Sequence, residues 1–308
     1  MKEKLRDPWL LAVWPGMGGV AISAGYYLMA KLGMHLLIEF PAGEIFDLEQ
    51  INVKDGLITS RRLPRSRLFL WNDPKGEHDI ILFIGEAQPP SRGAAFCRRL
   101  IEHVESLGVA RVFTFAAMAT QMRPGDDSTV FGAAIDRETL DRFKHLGMRV
   151  LDNGKISGLN GVLLGVAANA GMTGGCFLGE IPGVFAQIPF PKASLAVLER
   201  FTHVAGIEID YSELRAHAKA VDDTLVDFMN RIERSDKEAD ALAESPPEVH
   251  QEEPSPRPAS RERQLIERRF DETRRDRSLA YGLKQELDRL GVFGEYEDRF
   301  LDLFKEPE

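Results

Sequence analysis

Two cysteines, Cys97 and Cys176, are all that this chain of 308 residues contains. Two are too few for a disulfide framework or a four-cysteine zinc site, and the usage fits a reducing compartment, so the expected location is the cytoplasm. The seven histidines are scattered without a His-x-x-x-His or His-x-His pair, so no metal site is expected. No Gly-x-Ser-x-Gly nucleophile elbow is present, and no glycine loop ends in the Lys-Ser or Lys-Thr of a phosphate-binding P-loop. Long apolar runs are missing as well. Trp9–Trp14, behind a charged start, is too short for a signal-peptide core or a membrane span. Positive charge is in deficit: the formal net charge is −9, which argues against nucleic acid or an anionic membrane as partner. Basic residues cluster only locally, at Arg61-Arg62-Leu63-Pro64-Arg65-Ser66-Arg67 and Arg274-Arg275-Asp276-Arg277, and are read as solvated faces.

Apolar residues make up 44% of the chain, enough for a sizeable core, and the length allows one large α/β domain with an appendage or two modest domains. Residues 10–33 carry the clearest local pattern: an apolar strand, a glycine turn (Gly16, Gly18, Gly19) and an apolar helix. Strands are expected at Trp9–Trp14, His35–Phe40, Leu68–Trp71, Asp79–Gly85, Arg111–Ala116, Val130–Ile135 and Gly175–Ile181. Several are near-continuous apolar runs, as suits strands covered on both faces. Helices alternate with them at Gly19–Gly33, Ser91–Gly108, Asp136–Gly147, Gly158–Ala170 and Pro191–Gly206. Ser91 and Asp136 are candidate N-caps and Pro191 suits a first turn, while Gly33, Gly108, Gly147 and Gly206 stand where helices should stop. The alternation predicts a mostly parallel sheet between helical layers. Asp55-Gly56 between two short polar–apolar runs predicts a small hairpin.

After residue 210 the pattern changes. Leu214, Ala218, Val221, Leu225, Phe228 and Ile232 recur at heptad spacing, so residues 211–243 read as one long helix seeking a surface, either its own domain or another subunit. Residues 244–260 hold five prolines among polar residues and read as a flexible linker. Residues 261–308 are a charged helical tail with Leu283, Leu287, Phe300 and Phe304 on apolar faces; it should dock somewhere or stay mobile.

Three stretches could line a ligand crevice. Gly16-x-Gly18-x-x-Ala21 with Glu39 on the next strand has the parts of a dinucleotide fingerprint, and equally those of a turn that lets a helix pack closely. Thr173-Gly174-Gly175 and Glu180 belong to a second glycine-rich run, which either lines a crevice or serves packing at a junction. Glu86 and Gln88 follow the strongest strand, where ligand groups gather in open sheets, although a carboxylate there can equally cap a neighbouring N–H. The expected crevice therefore comprises Gly16, Met17, Gly18, Gly19, Glu86, Gln88, Thr173, Gly174, Gly175 and Glu180. The thiols read as packed apolar groups.

Taken in order, Pro15-Gly16-Met17-Gly18-Gly19-Val20-Ala21, Asp79–Glu86, Ile156-Ser157-Gly158-Leu159-Asn160-Gly161, Leu178-Gly179-Glu180-Ile181-Pro182 and Ile209–Leu214 resemble the proteasome assembly chaperone family in its bacterial and archaeal branch. The likeness covers roughly residues 8–232. It implies a three-layer α/β/α core of the phosphorylase/hydrolase-like kind, self-association with a homotrimer plausible for prokaryotic members, and a non-catalytic role; the C-terminal helical extension is read from the residues themselves, and no cofactor is expected. Archaeal relatives engage proteasomes through a hydrophobic–Tyr–any C-terminus, whereas this chain ends Phe304-Lys305-Glu306-Pro307-Glu308. The expected function is thus a homo-oligomeric, assembly-chaperone-like scaffold. It would meet itself or a protein partner through Leu214, Val221, Leu225, Phe228, Leu283, Leu287, Phe300 and Phe304. The alternative is a nucleotide- or metabolite-binding enzyme or sensor using the glycine crevice.

Overall fold

The computed structural model describes residues 5–40, 46, 52–54, 56–59, 63–241 and 260–305. Strands β1 (Trp9–Val13), β2 (His35–Phe40), β5 (Ser66–Trp71), β6 (Ile80–Gly85), β7 (Arg111–Thr120), β8 (Val130–Ala134), β9 (Arg149–Val150) and β10 (Thr173–Pro182) form an eight-stranded sheet in the order β2-β5-β6-β1-β7-β10-β8-β9. The middle strands β6, β1, β7 and β10 run parallel, and antiparallel pairs join β5 to β6, β2 to β5 and β8 to β10. The expected hairpin is present as β3 (Asn52–Lys54) paired with β4 (Leu57–Thr59); Asp55 of its turn lies outside the described residues.

Strict alternation along the strands splits the core in two. Trp9, Leu11 and Val13 of β1 join one cluster, while Leu10, Ala12 and the following Trp14 join the other. The second cluster is closed by α2 (Gly93–Glu105) and α4 (Gly158–Asn169) through Phe96, Leu100, Leu159 and Leu163. The first is closed by α1 (Val20–Lys31), α3 (Arg137–His145) and α5 (Pro191–Ala205) through Ala24, Phe143, Val197 and Phe201. This is the three-layer α/β/α arrangement. Gly25 lets α1 settle on β1: a Cβ there would stand 2.7 Å from the Val13 side chain.

Asp136 caps α3, accepting the Thr139 N–H at 2.8 Å, and Pro191 begins α5. Ser91 does not cap α2. Arg92 takes that place with φ at +60° and offers no side-chain bond. Arg67 also departs from the solvated face expected of its cluster. It shares the parity of Phe69 on β5 and is 1% exposed.

The long helix α6 (Ser212–Ala241) packs by its first half: Leu214 and Leu225 are buried and Val221 is half-buried, but Phe228 is 50% exposed. Residues 244–259 of the expected linker lie outside the described residues. The tail forms α7 (Ser260–Arg275), α8 (Ala280–Arg289) and α9 (Phe293–Asp302), and it docks on its own chain over α1. Leu283, Leu287, Phe300 and Phe304 are all buried in the first cluster, so in this arrangement they face α1 and the sheet rather than a partner. The Tyr26 ring meets Phe293 and Phe300 edge-on, and Phe304 meets Phe69. Its backbone carbonyl also accepts the Leu36 N–H of β2 at 2.8 Å.

Candidate functional site

The chain leaves β1 through Trp14 and Pro15 into the glycine turn. Gly18 and Gly19 hold φ of +60° and +57°, a conformation in which a side chain would be strained, and this sharp entry starts α1. Their backbone is already engaged: the Gly18 N–H donates to Ala186 O at 2.7 Å, and Gly18 O accepts from Phe190 N at 2.9 Å. Glu39 sits on β2, with β5 and β6 between it and β1, and its carboxylate faces Arg65 at 3.3 Å. The geometry of a dinucleotide fingerprint needs the acid on the strand beside the glycine loop. It is not met here, and the turn serves close packing of α1.

The expected crevice is divided. Gly16, Met17 and Gln88 line a cavity of about 560 Å³ at the carboxyl ends of β1 and β7, together with Ala116–Ala119, Leu178, the segment 155–158 that leads into α4, and Asn160. Gln88 spans it, donating to Pro15 O at 3.0 Å and accepting the Leu159 N–H at 3.0 Å. Gly19 and Glu86 instead border a second cavity of about 720 Å³ between α1, α6 and the tail, with Lys284, Asp288 and Glu297 on its rim. Glu86 there accepts from Arg65 N at 2.8 Å and pairs with Arg67 at 3.0 Å, which is the capping role weighed for it. Around Arg67, burial works against the charged guanidinium. The bond it donates to Asp298 and the charges of Glu86, Asp298 and Glu39 outweigh that and hold its pKa above the usual value.

Thr173, Gly174 and Gly175 lie at the other edge of the sheet. Thr173 pairs with Arg111, which is level with Trp9 at the start of β1, whereas Gly16 follows its end. These glycines serve packing: a Cβ on Gly174 would stand 2.0 Å from Val112 O, and one on Gly175 2.5 Å from Ala133 O. Glu180 lines neither cavity; it accepts from Thr120 Oγ1 at 2.8 Å and ties β7 to the turn before β8.

The residues missed as site candidates are Ala116–Ala119, Lys155–Gly158 and Asn160. A signal for the latter was available, because Ser157-Gly158 starts a helix that faces the end of β1. Burial pushes the Cys97 and Cys176 thiols up to about 12, so neither is a thiolate at neutral pH. Among the described residues no cluster of three or more His, Cys, Asp or Glu could hold a metal ion. None of the described helices is long and apolar enough to cross a membrane.

Three comparisons bear on this architecture. An uncharacterized protein of Methanocaldococcus jannaschii is 27% identical over 256 residues, covering 80% of this chain and 90% of that protein. The crystal structure of Pyrococcus furiosus PbaB, described as an archaeal proteasome activator, is similar in fold with a TM-score of 0.63 and 23% identity, covering 74% of this chain and 96% of that one. A Mycobacterium tuberculosis proteasome-assembly chaperone homologue gives a TM-score of 0.61 and 23% identity over 71% of this chain and 94% of its own. Residues 10–229, from the first strand into the exposed half of α6, match the PAC2 family, to which this chain belongs.

Proposed function

We propose that this chain is a homo-oligomeric, assembly-chaperone-like protein that works by holding protein surfaces rather than by catalysis. The observation that supports this best is a run of apolar side chains left open at the carboxyl edge of the sheet. Val184 is 78% exposed, Phe228 50%, Met17 45% and Ile188 42%. They are held close together. The ring of Phe185 meets that of Phe228 at 6.1 Å, and the loop carrying Ile188 is pinned to the glycine turn by the Gly18–Ala186 bond. Apolar clusters of this kind on an otherwise charged surface mark protein contact sites. The fold shared with a proteasome activator and a proteasome-assembly chaperone homologue agrees with this reading, as does membership of the PAC2 family. Two unpaired, buried thiols suit a cytoplasmic protein.

On this reading the distal half of α6 and the Gly183–Phe185 turn form the contact, while the tail's apolar faces serve its own chain. The test is light scattering of the full chain beside a Val184→Asp, Phe228→Asp double variant. The assembled species should fall to monomer in the variant with an unchanged circular dichroism spectrum. A separate co-purification with the host's own proteasome subunits asks whether the partner is of that class. A wild-type chain that is monomeric and recovers no such subunit overturns the reading.

A further inference from the structure

The hairpin β3–β4 carries apolar side chains that nothing in the chain covers. Val53 is 66% exposed, Leu57 71% and Ile58 70%. Val53 pairs with Ile58 across the two strands, so these two side chains share one face. Two strands of three residues each have little to hold them together, and a lone hairpin of this size is marginally stable in water. Bare aliphatic groups on so small an element mark a surface that another molecule completes.

The apolar cluster of Val184 and Phe228 lies elsewhere on the sheet, and Ile232, also exposed, extends it by one turn of α6. The hairpin leaves the sheet between β2 and β5, which are first and second in strand order, whereas Val184 follows β10, the sixth. Four strand spacings, roughly 19 Å, separate β5 from β10. The exposure of both sets shows that they do not cover one another within one chain. Charge sorts them as counterparts. Residues 51–64 hold Lys54, Arg61 and Arg62 against Asp55. Beside the cluster, Asp227 of α6 is exposed, as are Asp126 and Asp127 on the loop tied to α6 by the Gly125–Asp222 bond at 3.1 Å. Of the basic groups there, Arg123 and Lys192 are already paired with Glu233 and Asp222, which leaves Arg231. Two copies of this acidic surface face to face would set aspartates against aspartates. A hairpin laid on it brings opposite charges together.

We propose that the β3–β4 hairpin of one copy seats on the Val184–Phe228 cluster of a second copy. The contact is heterologous: each chain offers a hairpin on one flank and a cluster on the other, so copies join head to tail until a ring closes. This inference rests on the self-association proposed above and names the element that meets the cluster.

Sedimentation of two full-length variants, separately and mixed, tests this. The hairpin variant carries Leu57→Asp and Ile58→Asp, and the cluster variant carries Val184→Asp and Phe228→Asp. All four positions are exposed, so circular dichroism spectra should match the wild type. Each variant alone should lose assembly by about a hundredfold in dissociation constant and sediment as a monomer. Mixed in equal amounts they should form a dimer and nothing larger, because one keeps a working hairpin and the other a working cluster. A third variant, Asp126→Lys with Asp227→Lys, leaves the apolar groups in place and should weaken assembly about fivefold at low salt. Assembly of the hairpin variant at the wild-type size is the outcome expected if the hairpin serves a different protein. It overturns this proposal and leaves the self-association reading standing. Two monomeric variants that give no dimer on mixing, or an aspartate variant that assembles as tightly as the wild type, overturn it as well. A wild-type chain that is itself monomeric overturns both readings.

Discussion

Arg67 on β5 and Asp298 on α9 stand 231 residues apart in sequence and meet at 2.7 Å between Nη2 and Oδ1. The pair joins the tail to the sheet, and the same guanidinium holds Glu86 at 3.0 Å. The two partners are not equal in environment: the Arg67 side chain is 1% exposed and that of Asp298 36%. Truncating the arginine takes the guanidinium away from the buried Glu86 carboxylate, so Arg67→Ala should cost about 3–5 kcal/mol. Asp298→Ala leaves the Arg67–Glu86 pair intact and should cost about 1 kcal/mol or less. Urea unfolding of both variants measures the difference, and similar costs would show that Glu86 does not depend on Arg67.

His217 of α6 lies with Nδ1 3.0 Å from the Tyr281 hydroxyl of α8, with Lys284 and Asp288 as the charged neighbours. Burial lowers its pKa below the ordinary value of 6.5, Lys284 adds to that, and Asp288 opposes it. The unfolded chain therefore takes up the proton first as acidity rises. Stability is complete above about pH 6.5 and declines as pH falls below it. The urea midpoint should drop between pH 7.5 and 5.5 by more in the wild type than in His217→Gln. Equal drops would place the titration elsewhere.

Asp136 serves two elements at once. Its carboxylate accepts from Thr139 N at 2.8 Å and from Gly174 N at 3.0 Å, joining the start of α3 to the start of β10. Burial acts to raise its pKa, but these N–H bonds prevail and hold it below the ordinary 3.8. Its contribution is thus present above that value and is lost as pH falls further. Asp136→Ala should cost about 1–2 kcal/mol near neutrality, and the gap from wild type should narrow in acid. A constant gap down to pH 2.5 would separate the effect from the carboxylate's charge.

Two glycines offer opposite outcomes. Gly174 has φ of +128° and its absent Cβ would sit 2.0 Å from a backbone oxygen that cannot swing aside, so Gly174→Ala should prevent normal folding. Gly165, on α4, has nothing within 4 Å. Gly165→Ala should stabilise by about 0.5–1 kcal/mol through helix propensity alone. Thermal melts of the pair check both signs.

The sheet was legible because its strands alternate between two covered faces, and the positions of Leu10, Leu11 and Ala12 follow directly from period two. The Asp136 cap was legible because a carboxylate three residues before Thr139 has one obvious acceptor role. Which end of a strand a glycine run occupies is not written in local pattern, and that is why Thr173–Gly175 seemed to share a crevice with Gly16. Arg67 was hidden by its basic neighbours, although its parity with Phe69 points it into the core. The docked tail has its signal in α1, where Tyr26, Tyr27, Leu28, Met29 and Ala30 are consecutive and all buried. A helix apolar all round needs cover on every side, and α1 touches the sheet with only one. Of the candidate crevice, Gly16, Met17 and Gln88 came together as expected.

The Phe304 carbonyl bonds to the strand that follows α1. Tyr26 and its tail partner Glu297 lie 271 residues apart, so a ribosome makes α1 long before the segment that closes over it. Until then the two tyrosines of α1 are unsheltered, and a nascent or prematurely terminated chain presents a sticky flank to the cell's quality-control machinery.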